Sequence, residues 1–220
     1  NCHYLRIEAE TSKLSHLENY DETSASTYSE FFKKVSFQNL EVIFQSTSEF
    51  AAFFPTLIQG RNLDHSNIHL QWWSYGGKEQ YLIPEYRKML LQLPTMNTLT
   101  MHWFPDGNLL DDVTLIHLAN NTDEASLCSG DCTPYGILKA FETVCKSEHA
   151  FKYLSFYAPQ STVDDLSSLS HPNFESINRH SFSLLLIDRQ TNSMLVSIRE
   201  GDHNWVVMSK LDEDGLPAWR

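Results

Sequence analysis

The chain is poor in several things at once, and each shortage narrows what it does. Its 220 residues hold four cysteines, Cys2, Cys128, Cys132 and Cys145, too few for a disulfide framework and in keeping with a reducing compartment. Basic residues are scarce: 16 Lys and Arg against 28 Asp and Glu leave a net charge of −12. That charge repels phosphate backbones and anionic headgroups, so nucleic acid is not an expected partner. No window approaches the roughly 18 to 20 consecutive apolar residues of a membrane span. The opening Asn1-Cys2-His3-Tyr4 lacks the basic and apolar regions of a signal peptide. Also missing are Gly-x-Ser-x-Gly, a Gly-rich phosphate loop and His-Glu-x-x-His, so nothing nominates catalytic residues. The expectation is a folded protein of the cytosol or nucleus, not an enzyme, with no cofactor and no membrane partner. The chain starts without Met inside a strand-like run and reads as a fragment with sequence missing upstream.

What the chain does have is apolar material, 41% of residues with 12% aromatic, ample for a core. It is distributed periodically. Apolar-x-apolar triplets recur about every 26 to 31 residues, at Leu40-x-Val42, Ile68-x-Leu70, Leu99-x-Met101, Ala125-x-Leu127 and Leu154-x-Phe156, with Leu5-x-Ile7 as an earlier, longer-spaced member. Between them lie helical patterns. This predicts stacked βα units, with strands at 40–45, 67–73, 98–104, 124–128 and 152–157 and helices around 48–59 and at 84–93, 111–119, 133–147 and 162–169. Ser48, Asp111-Asp112 and Thr133-Pro134 supply helix-start signals. Residues 11–28, rich in Ser, Thr and Glu, read as an exposed loop. After His171-Pro172 the helices stop. Phe182 to Ile187, Met194 to Arg199 and Trp205 to Lys210 read as antiparallel strands that close the repeat array. The organisation expected is a repeat region over 1–172 and a β cap over 173–220.

Alternation along each strand separates two faces. With Val42, Leu70, Met101, Leu127 and Phe156 inward, the outward residues are Glu41, Ile43 and Gln45, then His69, Gln71 and Trp73, then Thr100, His102 and Phe104, then Ser126 and Cys128, then Ser155 and Tyr157. Trp73, His102, Phe104, Tyr157, His69 and Gln71 are therefore the candidate partner-binding residues, since exposed aromatic clusters are typical interface anchors. The competing reading packs these aromatics against a neighbouring loop or domain. Trp72 and Trp103, one residue out of phase, are expected in the core.

Cys128-x3-Cys132-x12-Cys145-x3-His149 has a zinc-like donor set. However, Cys145 falls on an apolar helical stripe with Ile137, Leu138, Phe141 and Val144, so the cysteines are read as structural and no metal is expected. Gly76-Gly77 reads as a loop hinge. Asp111-Asp112 and Asp164-Asp165 open helices, where acids interact favourably with the helix N-terminus.

Three passages carry a family resemblance: the triplet segments "NLEVIFQ" and "NIHLQWW", "FKYLSFYAP" in the late repeat, and the closing "FSLLLIDRQTNSMLVSI". Together they resemble the C-terminal F-box-associated region of nematode F-box proteins, whose βα repeats are leucine-rich-repeat-like. The resemblance implies an α/β, leucine-rich-repeat-like βα solenoid with a C-terminal antiparallel β cap. It further implies a region that captures a protein substrate, while an upstream F-box, absent from this chain, binds the Skp1-type adaptor of a ubiquitin ligase. It brings no catalytic residues. Two rivals stand beside it: an α/β hydrolase or transferase domain, and a structural or oligomerisation repeat with no ubiquitin link. Alternating strands such as "IHLQWW" and "LTMHWF" favour a sheet with one open face over a doubly wound sheet buried on both.

Overall fold

The computed structural model describes residues 2–8, 37–44, 66–72, 83–102, 109–147, 151–169, 175–176, 184–200, 203–215 and 217. The chain forms two compact units, Asn1–Gly107 and Asn108–Arg220, a division that falls inside the region expected to be one repeat array. The helix expected around 48–59 lies outside the described residues.

In the first unit, β1 (Cys2–Glu8), β2 (Phe37–Phe44), β3 (Asn67–Trp72) and β4 (Met96–His102) lie side by side in chain order and run parallel. The apolar triplets fall in one register. Leu5 pairs with Leu40, Leu40 with Ile68 and Ile68 with Leu99, while Ile7, Val42, Leu70 and Met101 make the next rung. From Leu40 to Met101 these side chains are at most 2% exposed. Each such burial is worth ~1.5–3 kcal/mol, and a one-residue slip would turn a whole strand's apolar set to the wrong face. A polar pair adds to the register. Asn67 Nδ2 donates to Asn39 Oδ1 at 2.7 Å, and Asn39 Nδ2 donates to the His3 carbonyl at 3.0 Å. Parallel neighbours require a return segment, and α1 (Ile83–Leu90) supplies part of the one between β3 and β4. It ends earlier than the expected residue 93. Leu93 precedes Pro94, which disfavours helical backbone, and the last turn closes by tighter bonds from Gln92 N–H to the Met89 carbonyl and Leu93 N–H to the Leu90 carbonyl.

The second unit begins with α2 (Asp112–Asn121), followed directly by β5 (Thr122–Ser129), then α3 (Pro134–Lys146), β6 (Tyr153–Ala158) and α4 (Gln160–Ser168). No loop separates α2 from β5. Thr122 ends the helix by donating its hydroxyl to the Leu118 carbonyl at 2.7 Å and starts the strand in the same step. Asp111 caps α2, accepting from Thr114 N–H at 2.8 Å. Asp112 reaches the next helix, accepting from Thr133 N–H and Thr133 Oγ1, both at 2.7 Å, while Thr133 Oγ1 accepts from Gly136 N–H at 3.0 Å. The Thr133-Pro134 start signal is thus a working cap. The expected core stripe of α3 is buried: Ile137, Leu138, Phe141, Val144 and Cys145.

The chain then makes β7 (Glu175–Ser176), β8 (Leu184–Asp188), β9 (Ser193–Glu200) and β10 (His203–Lys210). Within this unit the strand order is β5-β6-β10-β9-β8-β7. β5 and β6 are parallel, and the remaining pairs are antiparallel. The last strand therefore takes the place beside β6, ahead of the two strands that precede it in sequence. Val206 and Met208 of β10 pair with Phe156 and Leu154 of β6, continuing the buried side. That side faces α3 and α4. Lys210 Nζ donates to the Cys145 carbonyl at 3.4 Å, and Asn204 Nδ2 donates to Gln160 Oε1 at 2.9 Å.

The β8–β9 turn is held by Asp188, which accepts from Gln190 N–H at 2.9 Å and from Thr191 Oγ1 at 2.8 Å. Asn192 adopts φ +53°, a left-handed position that Asn tolerates, and donates to the Leu211 and Asp212 carbonyls. Burial pushes the Asp188 carboxyl up. Hydrogen bonds from Thr191, Gln190 and the Cys145 thiol outweigh it and hold the group below its usual value. A depressed carboxyl stabilises the fold above its unfolded pKa of ~3.9, and that contribution is lost as the pH falls through the lower folded value. Asp188→Ala is expected to cost ~1–3 kcal/mol at pH 7. Melting curves of the two proteins should converge as the pH drops below that range; a gap independent of pH would rule this account out.

Candidate partner-binding face

In the first unit the residues between the apolar rungs share the other strand face. Register places Glu41 beside His69 and His69 beside Thr100, and in the next row Ile43 beside Gln71 and Gln71 beside His102. Glu41 is the hub. Tyr4 hydroxyl donates to Glu41 Oε2, Arg6 Nε lies 3.7 Å from the same oxygen, and Gln71 Nε2 donates to Glu41 Oε1 at 3.2 Å. The hydrogen bond to Glu41, with a smaller effect of burial, raises the Tyr4 phenol above its ordinary pKa. Gln71 Nε2 also lies 3.3 Å from His69 Nε2. The result is a preset row of carboxylate, amide and imidazole.

This face is not fully open. Glu41, His69, Gln71 and Thr100 are half-buried, and Ile43 is buried at 6% exposure. His69 and Gln71 are thus brought together as the alternation expects. Trp73, Phe104 and Trp103, together with the side chains of His102 and Trp72, lie outside the described residues.

Tyr157 stands in the second unit, in different surroundings. Its ring centroid is 5.4 Å from that of Trp205, with the planes at 48°, because β10 pairs Trp205 directly with Tyr157. A tilted pair at this distance is a favourable aromatic geometry. Beside it, Met194, Val196 and Val207 are buried, with Ile187, Ile198, Trp205 and Leu211 packed against them. Ser155, expected outward, is 3% exposed. The second face of this sheet is therefore largely covered, contrary to one open face throughout. The reason lies in the strands "SMLVSI" and "NWVVMS", whose near-continuous apolar runs are the pattern of burial on both sides. Trp205 and Ile198 are the residues that alternation alone does not nominate, and those runs are the signal that could have found them.

A second departure concerns Cys128. Regular alternation sets Ser126 beside Ser155 and would then set Cys128 beside Tyr157, but the register shifts between Ser126 and Ser129, and it is Ser129 that pairs with Tyr157. A bulge at this point inserts extra length and re-aims the residues beyond it. Gly130 N–H then donates to the Tyr157 carbonyl at 2.9 Å, so the bulge and its exit fix the backbone under the tyrosine.

Cys132 and Cys145 are buried; the Cys128 side chain and His149 lie outside the described residues. Burial pushes the Cys145 thiol up, with hydrogen bonds to Thr191 and Ser193 pulling the other way, the environment of an inert rather than a reactive cysteine. Among the described residues no helix is long and apolar enough to cross a membrane. Compared with known proteins, the chain matches no family model, no curated protein and no solved structure.

Proposed function

We propose that the chain is a protein-binding module built as a leucine-rich-repeat-like βα solenoid with a C-terminal antiparallel β cap, and that it serves as the substrate-recognition region of an F-box, SCF-type ubiquitin ligase subunit. The observation that carries the binding reading is the strand face of the first unit. Parallel strands in regular register set out Glu41, His69, Gln71 and Thr100 half-buried on one face, with Gln71 in contact with both Glu41 and His69. Groups already fixed in place lose little side-chain freedom when a partner arrives. Trp73, His102 and Phe104 extend this row in sequence; Tyr157, in the second unit, is a separate aromatic candidate packed on Trp205. On this reading the protein substrate docks on the strand face, while the Skp1-type adaptor is held by an F-box upstream. The ubiquitin link rests on the resemblance to nematode F-box-associated regions.

The test is quantitative capture from cell extract with Trp73→Ala, Phe104→Ala, Gln71→Ala and Tyr157→Ala variants, each checked for folding by its melting curve. Loss of an anchor should weaken partner recovery by ~2 kcal/mol, roughly thirtyfold in affinity. Wild-type recovery of every partner by all four folded variants would remove the strand face as the binding site. Co-purification of the longer protein with a Skp1-type adaptor tests the ligase assignment separately.

A further inference from the structure

The N-terminal ends of α2 and α3 are tied together. Leu110 bridges Gly130, its carbonyl accepts from Asp131 N–H at 2.8 Å, and Asp112 accepts from Thr133 and packs against Gly136. This brings the second residue of each helix, Val113 in α2 and Tyr135 in α3, to the same end of the packed pair. Among the described residues these are the two most exposed large apolar side chains, at 61% and 72%. A first helical turn favours acids and small polar residues, so neither side chain is explained by the helix it starts.

The charge around them is negative. Asp111, Asp112 and Asp131 stand at this end. Against their carboxylates the two helix N-termini supply about half a positive charge each, which leaves about two negative charges. Lys139, one turn further along α3, is held by Glu142 at 2.9 Å. An anion is therefore disfavoured, and N–H groups that would hold one are already bonded: Thr114 N–H to Asp111, Thr133 N–H to Asp112 and Gly136 N–H to Thr133 Oγ1. Among the described residues no group of acidic, His or Cys side chains is placed to hold a metal ion either. An exposed ring beside carboxylates suits a cationic side chain.

We propose that this surface docks a basic, partly apolar segment of a protein partner. An Arg of that segment lies over the Tyr135 ring with its guanidinium toward the exposed Asp131 carboxylate, and a neighbouring apolar side chain covers Val113. The surface lies wholly in the second unit, so it stands or falls independently of the strand face of the first. Two anchors make a small contact, and the expected Kd is ~10–100 µM.

Fluorescence anisotropy on the 220-residue chain tests this with two labelled peptides of about ten residues, one composed of Arg, Leu and Ser, the other with every Arg replaced by Glu. The Arg peptide should bind and the Glu peptide should not. Tyr135→Ala and, separately, Asp131→Lys should each weaken binding at least ~10-fold. Tyr135→Phe keeps the ring and should bind as the wild type does. Glu213→Lys makes the same change of charge at another exposed acid of this unit and should leave the Kd within ~2-fold. Melting curves confirm that each variant is folded; where Asp131→Lys is not, the comparison of Tyr135→Ala with Tyr135→Phe still decides. No binding of the Arg peptide at ~1 mM overturns the proposal. So does equal weakening by Asp131→Lys and Glu213→Lys, which would show attraction to net charge alone, or a Kd indifferent to Tyr135→Ala.

Discussion

Phe141→Ala is expected to be the most destabilising single truncation, costing ~3–5 kcal/mol. Phe141 is among the largest fully buried side chains and lies in the middle of α3. Its helix packs against α2 on one side and against β9 and β10 on the other. Removing the ring forfeits its transfer from water and leaves a cavity that elements held on several sides cannot collapse to fill. Tyr135, on the same helix and 72% exposed, is the control: Tyr135→Ala should stay within ~0.5 kcal/mol of wild type. Urea unfolding of both variants separates the outcomes. If the two cost the same, α3 does not bury the face described.

The second large effect concerns Gly136, where two forces oppose each other. Alanine is the better helix residue by ~1 kcal/mol, so propensity alone predicts stabilisation. A Cβ at 136, however, would lie 2.0 Å from Asp112 Oδ1 and 2.7 Å from Asp112 Cβ. Rotating the carboxylate away is not enough, because the Asp112 Cβ is itself in the way. Relief requires α2 and α3 to separate or Asp112 to abandon both hydrogen bonds to Thr133. A net loss of ~2–3 kcal/mol is expected for Gly136→Ala. Asp112→Ala alone should cost ~1–2 kcal/mol as a lost interhelical cap. The double variant should cost clearly less than the sum, because the truncated side chain no longer carries the colliding carboxylate. Additivity of the two changes would show that Gly136 and Asp112 do not meet.

Local chemistry was legible in the sequence. The triplets Leu40-x-Val42, Ile68-x-Leu70 and Leu99-x-Met101 named the buried rungs, because period-two burial is a property of each strand by itself. Asp111 and Thr133-Pro134 marked two helix starts through bonds that span only three residues. What required the tertiary structure was every feature set by residues distant in the chain. Trp205 reaches Tyr157 only because β10, and not the nearer strand β8, lies beside β6. Strand order is decided by which antiparallel arrangement buries the most apolar surface, a choice among whole arrangements that no local pattern encodes. The bulge after Ser126 likewise escaped alternation, since it is a mismatch between two strands and not a property of either. Gly136 shows the same division at a single position: sequence makes it a weak residue in a good helix, and only the approach of Asp112 from the preceding helix makes it the residue that fits.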